Sequence, residues 1–386
     1  MEFVMTDAIT PHPFAFPDAA LDDLRDRLGR TRWPDRETVD DWSQGAPLAR
    51  MQGLIDYWRK HYDWRAAEAR LNALDPSMTR IDGLNIHFLH LRSPEPDAVP
   101  LVLTHGWPGS VFEFLKAATL LADPRAHGGD PRDAFHIVIP SLPGFGLTEK
   151  PTETGWTPER IAFAWVELMR RLGYARFVTQ GGDWGYAITN ALGGIGAPAV
   201  QAVHFNMFPI FDTMQAVDAQ EERALTRLQD FKDNESGYQI EQIQSPQTIG
   251  YGLTDSPAGQ AAWFYEKYEQ WTDHGGDPEN LLSRDDMLDN ITLYWLTATA
   301  ASSARIYWQS MTTWKEREIE VPVGFTQFPR DIHETSRRWV EERYPTWSTT
   351  TRLRRAGISP PGSSRSCSPK RSAQASGTAL GSIRQR

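Results

Sequence analysis

In Val178-Thr179-Gln180-Gly181-Gly182-Asp183-Trp184-Gly185-Tyr186-Ala187, a single carboxylate stands two positions from a glycine on either side. The run from Arg176 to Gln180 reads as a short buried strand, and a helical segment begins just behind it. Gly181-x-Asp183-x-Gly185 therefore has the pattern of a nucleophile elbow. A side chain presented on such a strand-to-helix turn is forced into sparsely allowed backbone angles, so its neighbours must be small. The residue at the tip is a carboxylate rather than a serine. An aspartate attacks a carbon electrophile by displacement and leaves an alkyl ester, which water must then cleave. The competing reading is a glycine-rich turn in which Asp183 caps a helix N-terminus.

The elements that must position this residue follow from periodicity. Asp18 is the expected N-cap of a first helix carrying Leu21, Leu24 and Leu28. Met51, Leu54, Ile55 and Trp58 mark a second helix, and His61-Tyr62-Asp63-Trp64 opens a third. These positions read as packing. From Thr79 the period changes to two, and Arg80 to His90 reads as a hairpin with Asp82-Gly83 at its turn and with His87 and His90 as strand residues. Leu101 to Thr104, Ile137 to Pro140, the elbow strand and Val200 to Phe205 are short apolar strands. They alternate with helices, one starting near Phe112 and one amphipathic over 158–173. That alternation predicts a mainly parallel α/β sheet with helices on both faces, in which chemistry gathers at the carboxyl ends of the strands. His105-Gly106-Trp107, Gly144, Asp183 and Asn206 all fall there. Residues 207–315 interrupt the strand rhythm with a helical, aromatic-rich insertion that reads as a lid, and Val321 to Phe325 restores it.

At 386 residues, 40% hydrophobic and 23% charged, the chain has the composition of a globular protein with a sizeable core. A net charge of −10 argues against a nucleic-acid partner. The one cysteine, Cys367, excludes an intramolecular disulfide framework or a cysteine-rich metal site and fits a reducing compartment. The opening residues lack a signal-peptide pattern, and no stretch approaches the roughly 18 consecutive apolar residues of a membrane helix. Cytoplasmic is the default, with no membrane partner.

Several segments in this order carry a resemblance: Tyr62-Asp63-Trp64-Arg65, His105-Gly106-Trp107-Pro108-Gly109-Ser110, Gly144-Phe145-Gly146, Gly181-Gly182-Asp183-Trp184-Gly185, Gly250 to Pro257, and Val321-Pro322-Val323-Gly324-Phe325. The chain resembles the epoxide hydrolases of the α/β-hydrolase superfamily, in the microsomal-type branch with its own N-terminal helical domain. The resemblance implies that Asp183 attacks an epoxide carbon to give a hydroxyalkyl ester. It also implies that the backbone N–H groups of Trp107 and Trp184 form an oxyanion hole, with Trp107-Pro108 a candidate cis peptide. Ring opening puts charge on the epoxide oxygen, for which a phenol is a suitable donor. Tyr238 and Tyr307 match the family's two lid tyrosines, while Tyr265, Tyr268 and Tyr294 read as packing. Asp331 matches the acid that orients the catalytic histidine, its alternative being a cap for a helix over 335–343. The partners implied are a small apolar or aryl epoxide and water, with no cofactor and no metal; homo-oligomerisation stays open. The roles implied are detoxification and aromatic hydrocarbon catabolism.

The departure lies at the histidine. A Gly-His-Phe segment is expected close behind Tyr344-Pro345-Thr346-Trp347, but the chain reads Arg354-Arg355-Ala356-Gly357-Ile358-Ser359-Pro360-Pro361, and no histidine follows His333. His333 itself, two positions after Asp331 and entering the next helix, is poorly placed for the role. Residues 354–386 are rich in Ser, Arg, Gly and Pro and read as a disordered tail. A one-base shift in permitted codons for Gly357 to Pro361 restores Gly-His-Phe-Ala-Ala, so we read the tail as a shifted frame. The expected organisation is an N-terminal helical domain over 1–78, core over 79–206 and 316–353, a lid over 207–315 and the aberrant tail. Such a chain forms the ester and stalls. The alternatives are a haloalkane dehalogenase-like hydrolase, which shares the Asp and the following Trp but needs no lid phenols, and a catalytically silent relative that binds apolar ligands.

Overall fold

The computed structural model describes residues 8–195, 197–211, 213–328 and 331–352; the tail expected over 354–386 lies outside them. One sheet contains β1 (Thr10–Pro11), β2 (Ser77–Ile81), β3 (Leu84–Leu91), β4 (Val99–Thr104), β5 (Phe135–Pro140), β6 (Phe177–Gly181), β7 (Val200–Phe205), β8 (Val323–Gln327) and β9 (Trp347–Arg352). Their order across it is β1-β2-β3-β5-β4-β6-β7-β8-β9. The segment from β5 to β9 is parallel, and β1, β2 and β3 form an antiparallel edge. This is the α/β-hydrolase fold.

The helices are α1 (Asp18–Gly29), α2 (Leu48–Lys60), α3 (Trp64–Asn72), α4 (Leu115–Ala122), α5 (Pro158–Arg171), α6 (Trp184–Gly194) and, between β7 and β8, α7 (Ala219–Asp230), α8 (Gly237–Gln244), α9 (Pro246–Asp255), α10 (Pro257–Trp271), α11 (Arg284–Thr297) and α12 (Ala300–Ser310). Helix α13 (Arg337–Arg343) separates β8 from β9. The central strands are apolar at consecutive positions because both faces are covered. Val102 and Val138 pack with α5 and α6 on one side, while Leu101, Leu103, Ile137 and Ile139 pack with α3 and α4 on the other. No helix among the described residues is long and apolar enough to cross a membrane.

Three local readings are corrected. Asp18 is not the cap of α1: Pro17 occupies that position, and Asp18 lies in the first turn, where its charge meets the helix dipole and Arg65. The helix expected near Phe112 begins as a 3-10 turn over Val111–Phe114 before α4. His333 precedes the helix rather than entering it, since α13 starts at Arg337 behind a Ser336 cap.

Register places the site. Thr104 pairs with Gly181, Gly181 with Phe205 and Phe205 with Phe325, so β4, β6, β7 and β8 end at one edge of the sheet. Helix α6 leaves that edge in intimate contact with β4. A Cβ on Gly185 would lie 2.0 Å from the Thr104 carbonyl oxygen, and one on Gly181 would lie 2.1 Å from the Gly185 carbonyl oxygen. Gly185→Ala is therefore expected to displace backbone and destabilise the protein at or above the upper end of the roughly 1–3 kcal/mol typical of overpacking. A Cβ on Gly53 in α2 meets nothing within 4 Å, so Gly53→Ala is expected to stabilise by about 0.5–1 kcal/mol. Chemical denaturation of the two variants checks both signs.

Candidate active site

Asp183, between β6 and α6, has φ 51° and ψ −128°. A non-glycine residue held there costs on the order of 1–3 kcal/mol and persists only where its surroundings over-determine it. The contacts of Gly181 and Gly185 do so. Asp183 Oδ1 accepts hydrogen bonds from the Trp107 N–H at 2.8 Å and the Trp184 N–H at 2.6 Å. Oδ2 has no partner among the described residues. A capping carboxylate would instead accept from the second or third N–H of its helix, whereas Trp184 is the first residue of α6. Enclosure by protein pushes the Asp183 carboxyl up to about 6, against the downward pull of the two N–H donors.

The turn after β4 that carries the Trp107 N–H, with its cis Trp107–Pro108 peptide, is held from behind by the helical insertion. Asn290 on α11 donates to the Pro108 carbonyl at 2.6 Å and to the Tyr268 hydroxyl at 3.0 Å, and the Tyr294 hydroxyl donates to the Gly109 carbonyl at 2.7 Å. Tyr268 and Tyr294 therefore do more than the packing read from sequence: they fix the direction of a hydrogen-bond donor.

An aromatic cluster stands over this arrangement. Tyr238 stacks on Trp107 with centroids 5.1 Å apart and planes 5° apart, and Tyr307 meets Trp184 edge-on at 5.0 Å and Tyr238 at 6.0 Å. Both phenols are buried, and burial together with nearby charge, Asp183 included, raises them well above the ordinary tyrosine value. The Tyr307 hydroxyl has no hydrogen-bond partner among the described residues. Lys267 Nζ lies 4.6 Å from the Tyr238 ring centroid and 5.5 Å from that of Trp271. A cavity of about 530 Å³ is lined by Gly182, Asp183, Asn206, Glu113, Lys267 and Trp271 and by residues of α3, α4 and α11.

Asp331, on the loop after β8, is fully buried; its Oδ1 accepts from the His333 backbone N–H at 3.1 Å, and its Oδ2 has no partner among the described residues. It does not cap α13, because Ser336 accepts from Trp339 N–H at 3.2 Å. Burial lifts its carboxyl to about 8. His333 is half-buried, its ring is held down to about 4 by desolvation, and it does not line the cavity. Sequence reasoning brings out Asp183, Trp107, Trp184, Tyr238 and Tyr307, which the fold gathers, and it misses Glu113, Lys267 and Asn290. The available signals were a carboxylate four residues behind Gly109 and a lone lysine inside the run Trp263 to Trp271. Among the described residues no group of three His, Cys, Asp or Glu side chains could hold a metal ion.

The family model described as "Epoxide hydrolase N terminus" matches residues 9–114, and that for the alpha/beta hydrolase fold matches residues 99–242. A protein of Stigmatella aurantiaca (strain DW4/3-1) named "Putative epoxide hydrolase" is 55% identical over 340 residues, covering 87% of this chain and 77% of that one. The chain belongs to the epoxide hydrolase family. It is also similar to "Epoxide hydrolase 1" of Oryctolagus cuniculus, at 32% identity over 91% of this chain and 85% of the rabbit protein. The solved structure of Aspergillus niger epoxide hydrolase matches with a TM-score of 0.85 and 29% identity over 98% and 96% of the two chains. As a member of this family the chain is a hydrolase enzyme.

One consequence of the buried Asp331 is measurable. Its folded-state carboxyl stands near 8 against an ordinary 3.8, so it contributes stability that is fully present below about pH 4 and is lost as pH rises through about 8. Asp331→Asn is expected to gain stability relative to the wild type across that interval and to level off above it. Denaturation curves at a series of pH values check this; a difference that shrinks with rising pH would reveal a cationic partner for Asp331.

Proposed function

We propose that the chain opens small apolar or aryl epoxides by nucleophilic attack from Asp183 Oδ2. The observation that carries this reading is the division of labour between the two carboxylate oxygens. Oδ1 already accepts from both backbone N–H donors, while Oδ2 is unengaged. An ester formed at Oδ2 would leave its carbonyl oxygen where charge develops when water adds, stabilised by donors that need no reorganisation. Tyr238 and Tyr307 are the acids that protonate the epoxide oxygen as its C–O bond breaks; their enclosure with Asp183 supports that assignment. The aromatic surroundings suit an aryl or otherwise apolar substituent. On this reading residues 1–78 form the N-terminal helical unit, 79–206 and 316–353 the core, and 207–315 the lid, and the product is a vicinal diol.

Hydrolysis of the ester requires a base to activate water, which in this family's pattern is a histidine oriented by the acid at Asp331. The unpartnered Asp331 Oδ2 is consistent with the lack of a histidine in the stretch behind Trp347. The first half of the reaction is thus served by the groups present, and the second half is slow.

Intact mass before and after incubation with styrene oxide tests this. A single adduct on the peptide holding Asp183 is expected, absent in Asp183→Asn. Because the attacking form is the carboxylate and its carboxyl lies near 6, adduct formation should accelerate as pH rises through about 6 and then level. Tyr307→Phe and Tyr238→Phe should each slow it about 10-fold or more, within the range of general-acid effects. Modification at another residue, or none, would overturn the proposal.

A further inference from the structure

The cavity holds a second carboxyl that the chemistry above does not use. Glu113 lies on the 3-10 turn directly behind His105-Gly106-Trp107-Pro108-Gly109-Ser110, and its side chain folds back over Gly109. A Cβ on Gly109 would lie 1.3 Å from Glu113 Oε1, just as a Cβ on Gly106 would lie 2.2 Å from Asp183 Oδ1. The two carboxyls therefore rest on two glycines of one turn, on either side of Trp107–Pro108. Three residues span at most about 10 Å of chain, so the two glycines that carry these carboxyls lie within that distance of each other. Both carboxyls line the same cavity.

The charged groups along that cavity are otherwise matched. Arg70 pairs with Asp289, Lys116 with Asp286 at 3.0 Å, and Lys267 with Glu266 at 2.5 Å. Neither Asp183 nor Glu113 has an ion-pair partner among the described residues. Burial, reinforced by the negative charge of Asp183, raises the Glu113 carboxyl well above the usual carboxylate range. The other titratable groups facing it are the phenols of Tyr268 and Tyr294, both raised in part by charge at Glu113. The larger burial effect on Glu113 and the two N–H donors on Asp183 favour the proton on Glu113 and the charge on Asp183.

We propose that Glu113 is the base that activates water for hydrolysis of the Asp183 ester. This rests on the reading of Asp183 as nucleophile. When Asp183 becomes an ester its charge disappears, and with it the repulsion that keeps Glu113 protonated. The Glu113 proton passes through cavity water to the tyrosinate left by ring opening, so the single negative charge moves from Asp183 to Glu113. Water then adds to the ester carbonyl carbon while giving a proton to the Glu113 carboxylate, and the oxyanion forms at Oδ1 against the Trp107 and Trp184 N–H groups. Collapse breaks the Cγ–Oδ2 bond, and Oδ2 leaves with the alkyl group as a hydroxyl of the diol, taking its proton from Glu113. Asp183 is left as the acid carrying the second hydrogen of the water, with the water's oxygen in place of Oδ2; that proton passes to Glu113 through cavity water, and the charge returns to Asp183. The desolvation that remains keeps Glu113 a stronger base than a surface carboxylate, nearer the pH at which it must work.

The test follows adduct formation and adduct decay separately, by intact mass after a pulse of styrene oxide and removal of the excess, in the full chain and in Glu113→Gln. Decay is expected to slow at least about 10-fold relative to formation in the variant, and wild-type decay should fall away at low pH as Glu113 becomes protonated. Equal decay in both proteins, or a wild-type adduct that never decays, overturns the proposal. A failure to form any adduct would sink the nucleophile reading instead. In that case infrared spectroscopy decides Glu113 without substrate, using Asp183→Asn as a neutral mimic of the ester. A protonated carboxyl band present in the wild type, lost in Glu113→Gln and titrating at lower pH in Asp183→Asn supports the proposal. A Glu113 titration indifferent to residue 183 overturns it.

Discussion

The structure depends on how closely α6 approaches the end of β4. With Gly185 against the Thr104 carbonyl and Gly181 against Gly185, no side chain separates the two elements, and the chain between them has room for only one course. That course puts Asp183 at positive φ and turns its Oδ1 toward two backbone donors that belong to different strand exits. The insertion then has one task relative to the sheet: to hold the far turn still. Asn290 and Tyr294 do this through backbone carbonyls of Pro108 and Gly109, so the pair of donors to Asp183 is built from main chain and braced by side chains.

Electrostatically the site is unusual in having three carboxyls, Asp183, Glu113 and Asp331, each buried without a cationic partner among the described residues. In a protein interior such groups either stay neutral or depend on fixed dipoles. Asp183, with two backbone N–H donors on one oxygen, is raised to about 6, while Asp331, which accepts from the His333 N–H, is raised to about 8 and Glu113 is pushed well above the usual carboxylate range. The gradient favours Asp183 as the group that keeps its charge.

Much of this was legible in the sequence because it is local. Apolar runs such as Leu101 to Thr104 announce strands buried on both faces, and the hairpin over Arg80 to His90 is set by alternation and Asp82-Gly83. The elbow is legible because its glycines are close in sequence to the residue they serve. What escaped depends on contacts made across the fold. Asp18 looks like a cap until Pro17, with its fixed φ, takes that place. Asn290 and Tyr294 acquire meaning only when α11 arrives behind a turn more than 180 residues earlier in the chain. Glu113 looks like an ordinary helical carboxylate until its side chain folds onto Gly109. Lys267 looks solvent-facing in sequence and is buried over two rings.

The N-terminal helices do not simply rest on the sheet. Arg50 reaches Asp277 at 2.6 Å, Tyr57 reaches Asp285 at 2.9 Å, and Tyr62 and Arg70 both engage Asp289, so α2 and α3 clasp the insertion near α11. These contacts tie the insertion to the N-terminal helices in addition to its own two connections to the core. Residues of α3, α4 and α11 also line the cavity that reaches Asp183. A substitution in the N-terminal helices can therefore reshape the space beside Asp183 without touching the sheet or the turn that presents it.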